Sequence, residues 1–403
     1  MFNSQSVSIQ KLHKPLFEGI AKSLKDIFIG KRHADKVIEQ LLKSNKKWGS
    51  RDRRFVAEAI YDIVRNFRLL SYLAESETNF WIITGVYLKL KGMTLPEWPD
   101  FKHIIATDYD VAIQKLNNDF CITQSYSDEL NEIGVGELGK ELWEKEATAM
   151  NEVANITIRV NSIKTTKEKL ASALKQEGVD FREVKDKDAL QVEKRINLFQ
   201  TEAFKNGWFE MQDSGSQEIG LFCEPKEGDF IIDACAGGGG KTLQLAALMK
   251  NKGKIISLDV NEKKLGNLKT RAKRAGVQCA EARLIEGEKT INELKQKADL
   301  LLLDVPCSGV GVIKRNPDTK WKINSDALKK TRELQKEILS NYSKMVKPGG
   351  KLIYSTCSIF PSENKKQVLD FLEQNPEFKF ISDKTIYPSE GNDGFYMCKL
   401  IKE

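Results

Sequence analysis

Apolar positions along the chain follow three successive rhythms. Over roughly residues 9–145 they recur every three or four positions. In FVAEAIYDIVRNFRLLSYL (55–73), Val56, Ile60, Ile63, Val64, Phe67 and Leu70 share one face, which predicts a helix preceded by Arg51, Arg53 and Arg54. Residues 127–151 continue that character. Near residue 155 the period shortens to two. ITIRVN (156–161) alternates like a strand, TKEKLASALKQEG (166–178) is an amphipathic helix closed by glycine, and DFREV and ALQVEK read as further strands. From residue 229, strand and helix alternate with short connections. The predicted strands are DFIIDA (229–234), KIISLD (254–259), ARLI (282–285), ADLLLLD (298–304), KLIYSTC (351–357) and GFYMCKLI (394–401). The unbroken LLLL run suits a strand covered on both faces. Leu328, Thr331, Leu334, Ile338, Tyr342 and Met345 step along one predicted helix, which KPGG ends.

These rhythms predict three domains: a helical region over 1–148, a small α/β module over 149–214, and a larger α/β domain over 215–403. Strand–helix alternation in the last argues for a mainly parallel, doubly wound sheet, which binds ligands at the carboxyl ends of its strands. The chain has 403 residues, 40% of them hydrophobic, enough for several cores. No apolar run approaches the ~20 residues of a membrane helix. The start, MFNSQSVSIQKLHK, lacks the apolar stretch of a signal peptide, so a cytoplasmic protein without a membrane partner is expected.

Charge adds a partner. The net charge of +7 is modest, but it is concentrated. Residues 31–70 hold eleven Lys/Arg against five Asp/Glu, and residues 311–350 hold ten against four. Two basic patches predict a polyanion, nucleic acid above all. The seven cysteines (Cys121, Cys223, Cys235, Cys279, Cys307, Cys357, Cys398) form no CxxC pair. The three histidines (His13, His33, His103) lie early in the chain. A metal site, a disulfide framework and a Cys–His dyad are therefore not expected.

DACAGGGGKT (233–242) poses the central question. A phosphate-binding P-loop needs glycine where Cys235 stands, and a dinucleotide loop needs glycine where Thr242 stands. What remains is a strand, a glycine-rich turn and a helix, with Asp259 closing the next strand. Glycines let a ligand approach the backbone, and a carboxylate at that place can accept from ribose hydroxyls. This suits a nucleoside lacking a strong phosphate clamp, such as S-adenosylmethionine. A nicotinamide-type cofactor, or a turn serving packing alone, stays open on the loop by itself.

LLLDVPCSGVGVIKRNPDTKW (301–321) and IYSTCSIFPSEN (353–364) each place a cysteine just past a predicted buried strand, and the first also carries Asp304. If the strands are neighbours, Cys307 and Cys357 share a cleft. Methylation at carbon 5 of cytosine needs such a set. A thiolate adds to carbon 6, which makes carbon 5 nucleophilic; a carboxylic group near ring nitrogen 3 stabilises the adduct; a base later removes the carbon-5 proton. A thiol near its usual pKa of ~8.5 is mostly protonated at neutral pH, so the site must favour the anion. The substrate sulfonium and basic residues such as Lys241 or Lys314 are candidates for that help. An amino-group methyltransferase would instead place an aromatic residue where Cys307 follows Pro306.

With these stretches, the sequence resembles the NOP/Sun (Fmu/RsmB-type) family of RNA cytosine-5 methyltransferases. DVPCSG resembles their DAPCSG, STCS their T-C-S motif, and DACAGGGGKT their DxCAAPGGKT. WFEMQDSGSQ (208–217), RVN (159–161) and DGFYMCKL (393–400) resemble further family segments, in the right order over roughly 150–403. The resemblance implies a Rossmann-like class I methyltransferase domain, preceded by an RNA-recognition-like module and, more loosely, a NusB-like helical RNA-binding domain. It implies Cys357 as nucleophile, Cys307 as the thiol assisting release, and Asp304 at the cytosine. It implies S-adenosylmethionine held by Cys235, Ala236, Gly237, Gly238, Gly239, Gly240, Lys241, Asp259 and Asp304. The family's loop proline is Gly238 here, which predicts a looser loop. The aspartate expected after the third strand is missing from RLIEGE, leaving Glu286 as the candidate adenosine contact. Charges in VIKRNPDTKW are expected to meet RNA backbone. The implied substrate is ribosomal RNA, with transfer RNA or a non-catalytic ribosome-assembly role as alternatives, and the implied state is a monomer.

Overall fold

The helical rhythm produces ten helices between Lys14 and Met150 among the described residues, which in this computed structural model are 13–116, 119–184, 187–194 and 196–403. Residues 1–12, including the start read above for a leader and for the first helical positions, lie outside that set. The predicted long helices are interrupted. Asn66 separates helix Ser50–Arg65 from helix Phe67–Leu73, and Gly139, at φ 79°, separates Asp128–Leu138 from Lys140–Met150. Arg51, Arg53 and Arg54 sit inside the first turns of helix Ser50–Arg65 rather than ahead of it. The apolar face predicted there is the core: Val56, Ile60, Ile63, Val64 and Leu70 are fully buried.

Two compact units divide the chain, and the division is not colinear with sequence. The helical unit comprises 1–151 together with 313–325; the second unit comprises 152–312 and 326–403. Segment 313–325 is held inside the helical unit by a buried lysine. Lys320 is fully buried, and its Nζ donates to the carbonyls of Arg65, Gln124 and Ser125 and to Oδ1 of Asn151; burial and the Arg65 charge push the amine well below its ordinary value. It also lies 4.0 Å above the Tyr126 ring. Trp321 Nε1 donates to the Val64 carbonyl at 2.8 Å, and the Ala34 amide donates to Asp318. The basic stretch 314–322 is thus corrected in part: Lys314 and Lys320 are buried and cannot reach a phosphate.

The second unit holds two sheets. The small module contains β1 (Ile156–Val160), β2 (Phe181–Glu183), β3 (Ala189–Val192) and β4 (Phe209–Met211), antiparallel in the order β2-β3-β1-β4, with helix Lys167–Gln176. The larger sheet contains β5 (Phe230–Ala234), β6 (Lys254–Asp259), β7 (Ala280–Leu284), β8 (Ala298–Asp304), β9 (Val346–Thr356), β10 (Phe378–Ile386) and β11 (Phe395–Lys402). Its order is β10-β11-β9-β8-β5-β6-β7. The β9-β8-β5-β6-β7 pairs are parallel, while β11 and β10 add antiparallel strands at one side.

Strand β8 shows why four consecutive leucines belong here. Leu301 and Leu303 enter one core layer with Ile232, Ile256, Leu352 and Tyr354; Leu300 and Leu302 enter the opposite layer with Ile231, Ile255 and Ile353. Each such burial stabilises by about 1.5–3 kcal/mol. Three details differ from the sequence pattern. Strand β10 was not predicted; it is an edge strand that leaves Phe380 and Ile381 exposed. The helix predicted to run to Met345 ends at Tyr342, and KPGG lies within β9. Finally, Leu334 faces outward while the neighbouring Gln335 is fully buried.

Replacing Lys320 by methionine strips four acceptors of their donor. It is expected to destabilise the helical unit by about 2–4 kcal/mol. Hydrogen exchange of the amides around residues 124–126 should accelerate accordingly; unchanged protection would show that the buried lysine head group is dispensable.

Candidate active site

The parallel pairing of β8 with β9 builds the centre of the site. Asp304 stands opposite Ser355 in register, so the chain segments beyond both strands leave the sheet side by side. Cys307 Sγ and Cys357 Sγ come within 3.1 Å of each other, both half-buried. The backbone is tight at this point. The Gly311 amide donates to the Cys357 carbonyl at 3.0 Å, and the Gly394 amide donates to the Gly311 carbonyl at 2.7 Å. A Cβ on Gly311 would lie 2.2 Å from the Gly394 oxygen, so only glycine fits. The Cys307 thiol is pushed well above its usual range, first by its own hydrogen bond with the Cys357 thiol, then by burial and by the Cys357 and Glu363 charges.

Asp304 ends β8 and accepts from both sides: Lys241 Nζ at 2.5 Å and Ser355 Oγ at 3.1 Å. Burial opposes the Lys241 charge, but the Asp304 carboxylate and its hydrogen bond outweigh burial and hold the ammonium above its ordinary value. Lys241 therefore lies with the thiols and Asp304, whereas Lys314 belongs to the helical unit. Asp233, at the end of β5, is fully buried. Burial pushes its carboxyl up to about 6, against the opposing hydrogen bond from Thr242.

The glycine loop joins β5 to helix Gly240–Leu248. Gly237 (φ 54°) has the positive φ that favours glycine, and its amide donates to Asp259 Oδ2 at 2.8 Å. The other Asp259 oxygen accepts from the Asn261 amide, so the carboxylate at the end of β6 pins the loop. Cys235 is half-buried, its thiol pushed up by burial; Ala236 donates its amide to the Leu258 carbonyl. At Gly238, where the looser loop was expected, Arg271 Nη1 donates to the carbonyl at 2.6 Å. Arg271 is itself fixed by the buried carboxylate of Glu210 on β4, which also pairs with Arg274. The small module thus braces the loop through Glu210. Glu286 follows β7 and is mostly exposed beside Lys289, one residue past the Ile285 amide that donates to the Asp259 carbonyl.

Sequence reasoning missed a second set around the thiols. Glu363 is fully buried and accepts from Ser308 and Ser358, the residues that follow the two cysteines, and from Gln335. The available signal was that serine follows each cysteine, but a pairing through a third residue has no local signature. Among the described residues, no group of three or more His, Cys, Asp or Glu could hold a metal ion, and no helix is long and apolar enough to cross a membrane.

A mainly parallel sheet, with a glycine turn after one inner strand and an acidic residue closing the next, is a Rossmann-like methyltransferase domain. Residues 221–401 match the model of the 16S rRNA methyltransferase RsmB/F, and residues 136–198 match the ferredoxin-like domain of RsmF/B-like methyltransferases. Residues 221–401 are thus a methyltransferase domain of the RsmB/F type, and residues 136–198 match the ferredoxin-like domain that accompanies it. The ribosomal RNA small subunit methyltransferase B of Vibrio cholerae is 34% identical over 279 residues, 65% of this chain and 62% of that protein. The chain therefore spans less than two thirds of that relative's length. The solved structure of PH0851 superposes with a TM-score of 0.81 at 26% identity, covering 98% of this chain and all of that one. A methyltransferase homologue from Pyrococcus horikoshii gives a TM-score of 0.62 at 27% identity, over 71% of this chain and 98% of that one.

Asp233 makes stability pH-dependent. In the unfolded chain its carboxyl ionises near ~3.9, so the folded chain holds the proton longer and loses stability as pH rises from about 4 to about 6, by roughly 3 kcal/mol. Asp233→Asn keeps an acceptor for Thr242 and is expected to flatten that fall. Urea midpoints at about pH 4.5 and 6.5 measure it, and equal slopes for both proteins would refute it.

Proposed function

We propose that the protein is an S-adenosylmethionine-dependent methyltransferase acting on carbon 5 of a cytosine in RNA, ribosomal RNA in the first place, through a covalent cysteine–cytosine adduct. The observation that carries this reading is the pair of thiols 3.1 Å apart beside Asp304, at the ends of adjacent parallel strands. Two thiols in contact, with a carboxylate at the end of the same pair of strands, match a reaction that needs a nucleophile, a base and a group hydrogen-bonding the pyrimidine.

The loop fits the cofactor. Open space surrounds the Cβ positions of Gly237 and Gly240, whose nearest neighbours lie 4.0 Å away, and Asp259 is buried against the loop with carboxylate lone pairs to spare for ribose hydroxyls. Residues 235–241, Asp259 and, further out, Glu286 would hold S-adenosylmethionine, which when bound supplies an electrophilic methyl group. The chain's own residues do the rest. Cys357 attacks carbon 6 of the cytosine. Asp304, held between Lys241 and Ser355, faces the ring nitrogen edge. Once carbon 5 carries the methyl group, its proton passes to a base while the carbon 6–sulfur bond breaks and Cys357 leaves as thiolate; Cys307, whose proton affinity is raised, is a strong base for that proton once it has given up its own. The target base must leave its stack to reach both thiols, which favours a loop or opened helix as substrate.

Residues 1–148 are read as the RNA-binding part and 149–214 as an RNA-recognition-like module that also braces the catalytic domain, 215–403. Exposed cations of the 31–70 patch, such as Arg51 and Lys47, would meet phosphates. A cytoplasmic monomer with RNA as partner completes the reading.

Incubation of unmodified ribosomal and transfer RNA, in separate pools, with methyl-labelled S-adenosylmethionine should yield labelled 5-methylcytidine from the ribosomal pool. A different labelled nucleoside would sink the two-thiol mechanism. Cys357→Ala is expected to abolish turnover by at least about a thousandfold and to trap no adduct. Cys307→Ala should accumulate a denaturation-resistant protein–RNA band on gels. The reverse pattern would exchange the two roles. Arg271→Ala, which frees the Gly238 carbonyl, should raise KM for S-adenosylmethionine roughly tenfold with little change in kcat. An unchanged KM would show that the brace is irrelevant to the loop.

A further inference from the structure

The two cysteine segments lie fifty positions apart in sequence, yet one side chain grips both. Glu363 Oε1 accepts from the Ser308 amide at 2.7 Å and from Gln335 Nε2 at 3.0 Å. Its Oε2 accepts from Ser308 Oγ and from Ser358 Oγ, each at 2.5 Å. Ser308 follows Cys307 and Ser358 follows Cys357. Gln335 in turn donates to the carbonyl of Pro306, the residue before Cys307. Glu363 is held from behind as well: the Tyr354 hydroxyl donates to its carbonyl at 2.6 Å, and Asn364 bonds Thr356 and the Ser358 carbonyl.

We propose that Glu363 is the positioning residue of the catalytic pair, a single buried carboxylate that fixes the separation and mutual aim of the Cys307 and Cys357 thiols. The inference rests on the two-thiol reading for its catalytic consequence, but not for its geometry. A fully buried carboxylate satisfied by four neutral donors is a costly way to fill space, since an apolar side chain of the same size would avoid the desolvation. Its arrangement is explained by what it joins. The β8–β9 ladder ends at Asp304 and Ser355, short of either thiol; beyond it the Gly311–Cys357 hydrogen bond holds the main chains together, while Glu363 joins the residues that directly follow each cysteine. The Glu363 charge also adds to the raised proton affinity of the Cys307 thiol, after the contact with Cys357 and burial.

The test uses the full-length protein and a readout independent of turnover. Diamide oxidation with peptide mapping reports how fast Cys307 and Cys357 join as a disulfide. Glu363→Ala is expected to slow that pairing at least tenfold, and Glu363→Gln, which keeps acceptor and shape, to stay within about threefold of the parent. In methyl transfer, Glu363→Ala should lower kcat about a hundredfold with KM for S-adenosylmethionine unchanged, and Glu363→Gln should recover most of the loss. Parental pairing rates in Glu363→Ala would overturn the proposal. So would a Glu363→Gln protein as impaired as the alanine variant with equally weakened cofactor binding, the mark of a merely structural role. Should Glu363→Ala not fold, Ser308→Ala/Ser358→Ala leaves the carboxylate in place and is expected to slow pairing to the same order; parental rates there would be equally fatal. If the parent protein makes no 5-methylcytidine, the functional reading fails while the pairing rates still decide the clamp.

Discussion

The register of two parallel strands is the constraint on which the site depends. With Asp304 opposite Ser355, the segments that continue each strand run out beside one another, and Cys307 meets Cys357 from fifty positions away. A slip of one residue would turn Asp304 from Lys241 toward the opposite face and separate the thiols. The register is secured by the alternation of Leu300 to Leu303 between two core layers, each of which accepts one set of side chains and excludes the other. Site geometry is therefore a consequence of core packing, and the polar groups refine what the leucines impose.

Around that centre, buried ionic and polar links do work that the strands cannot. Asp259 ties the glycine loop to the end of β6, Glu210 and Arg271 tie it to the small module, and Glu363 ties the cysteine segments to each other. The loop lacks the family's proline, which would have restricted its backbone directly. A guanidinium on the Gly238 carbonyl supplies restraint from outside instead. The same stretch of sequence that carries Cys307 also donates thirteen residues, 313–325, to the helical unit, so the chain leaves and re-enters the second unit shortly after Cys307.

Much was legible in the sequence because it is written in short-range periodicity. A run of four leucines can be only a strand covered on both faces or a buried helix, and its flanking turns chose the strand. Asp304, Cys307 and Cys357 were recognisable because each follows such a strand, where a doubly wound sheet presents its ligands. The glycine loop was readable by elimination, since Cys235 and Thr242 break both phosphate patterns. The helical region was legible in type but not in its breaks: Asn66 interrupts a helix whose apolar face continues across it, and only packing required the turn.

Tertiary structure alone decided what depends on partners far apart in the chain. Lys314 and Lys320 look like surface charges because nothing local distinguishes a lysine bound for solvent from one that will cap the carbonyls of Arg65, Gln124 and Ser125. Leu334 and Gln335 look like a buried and an exposed position, and the fold reverses them because Glu363 and Pro306 offer the amide its bonds. Strand β10 emerges because β11 leaves an unpaired edge for it. Periodicity reports which face of a segment is apolar; it carries no record of which polar group that face will meet, and hydrogen bonds across long sequence separations exist only once the chain has closed on itself.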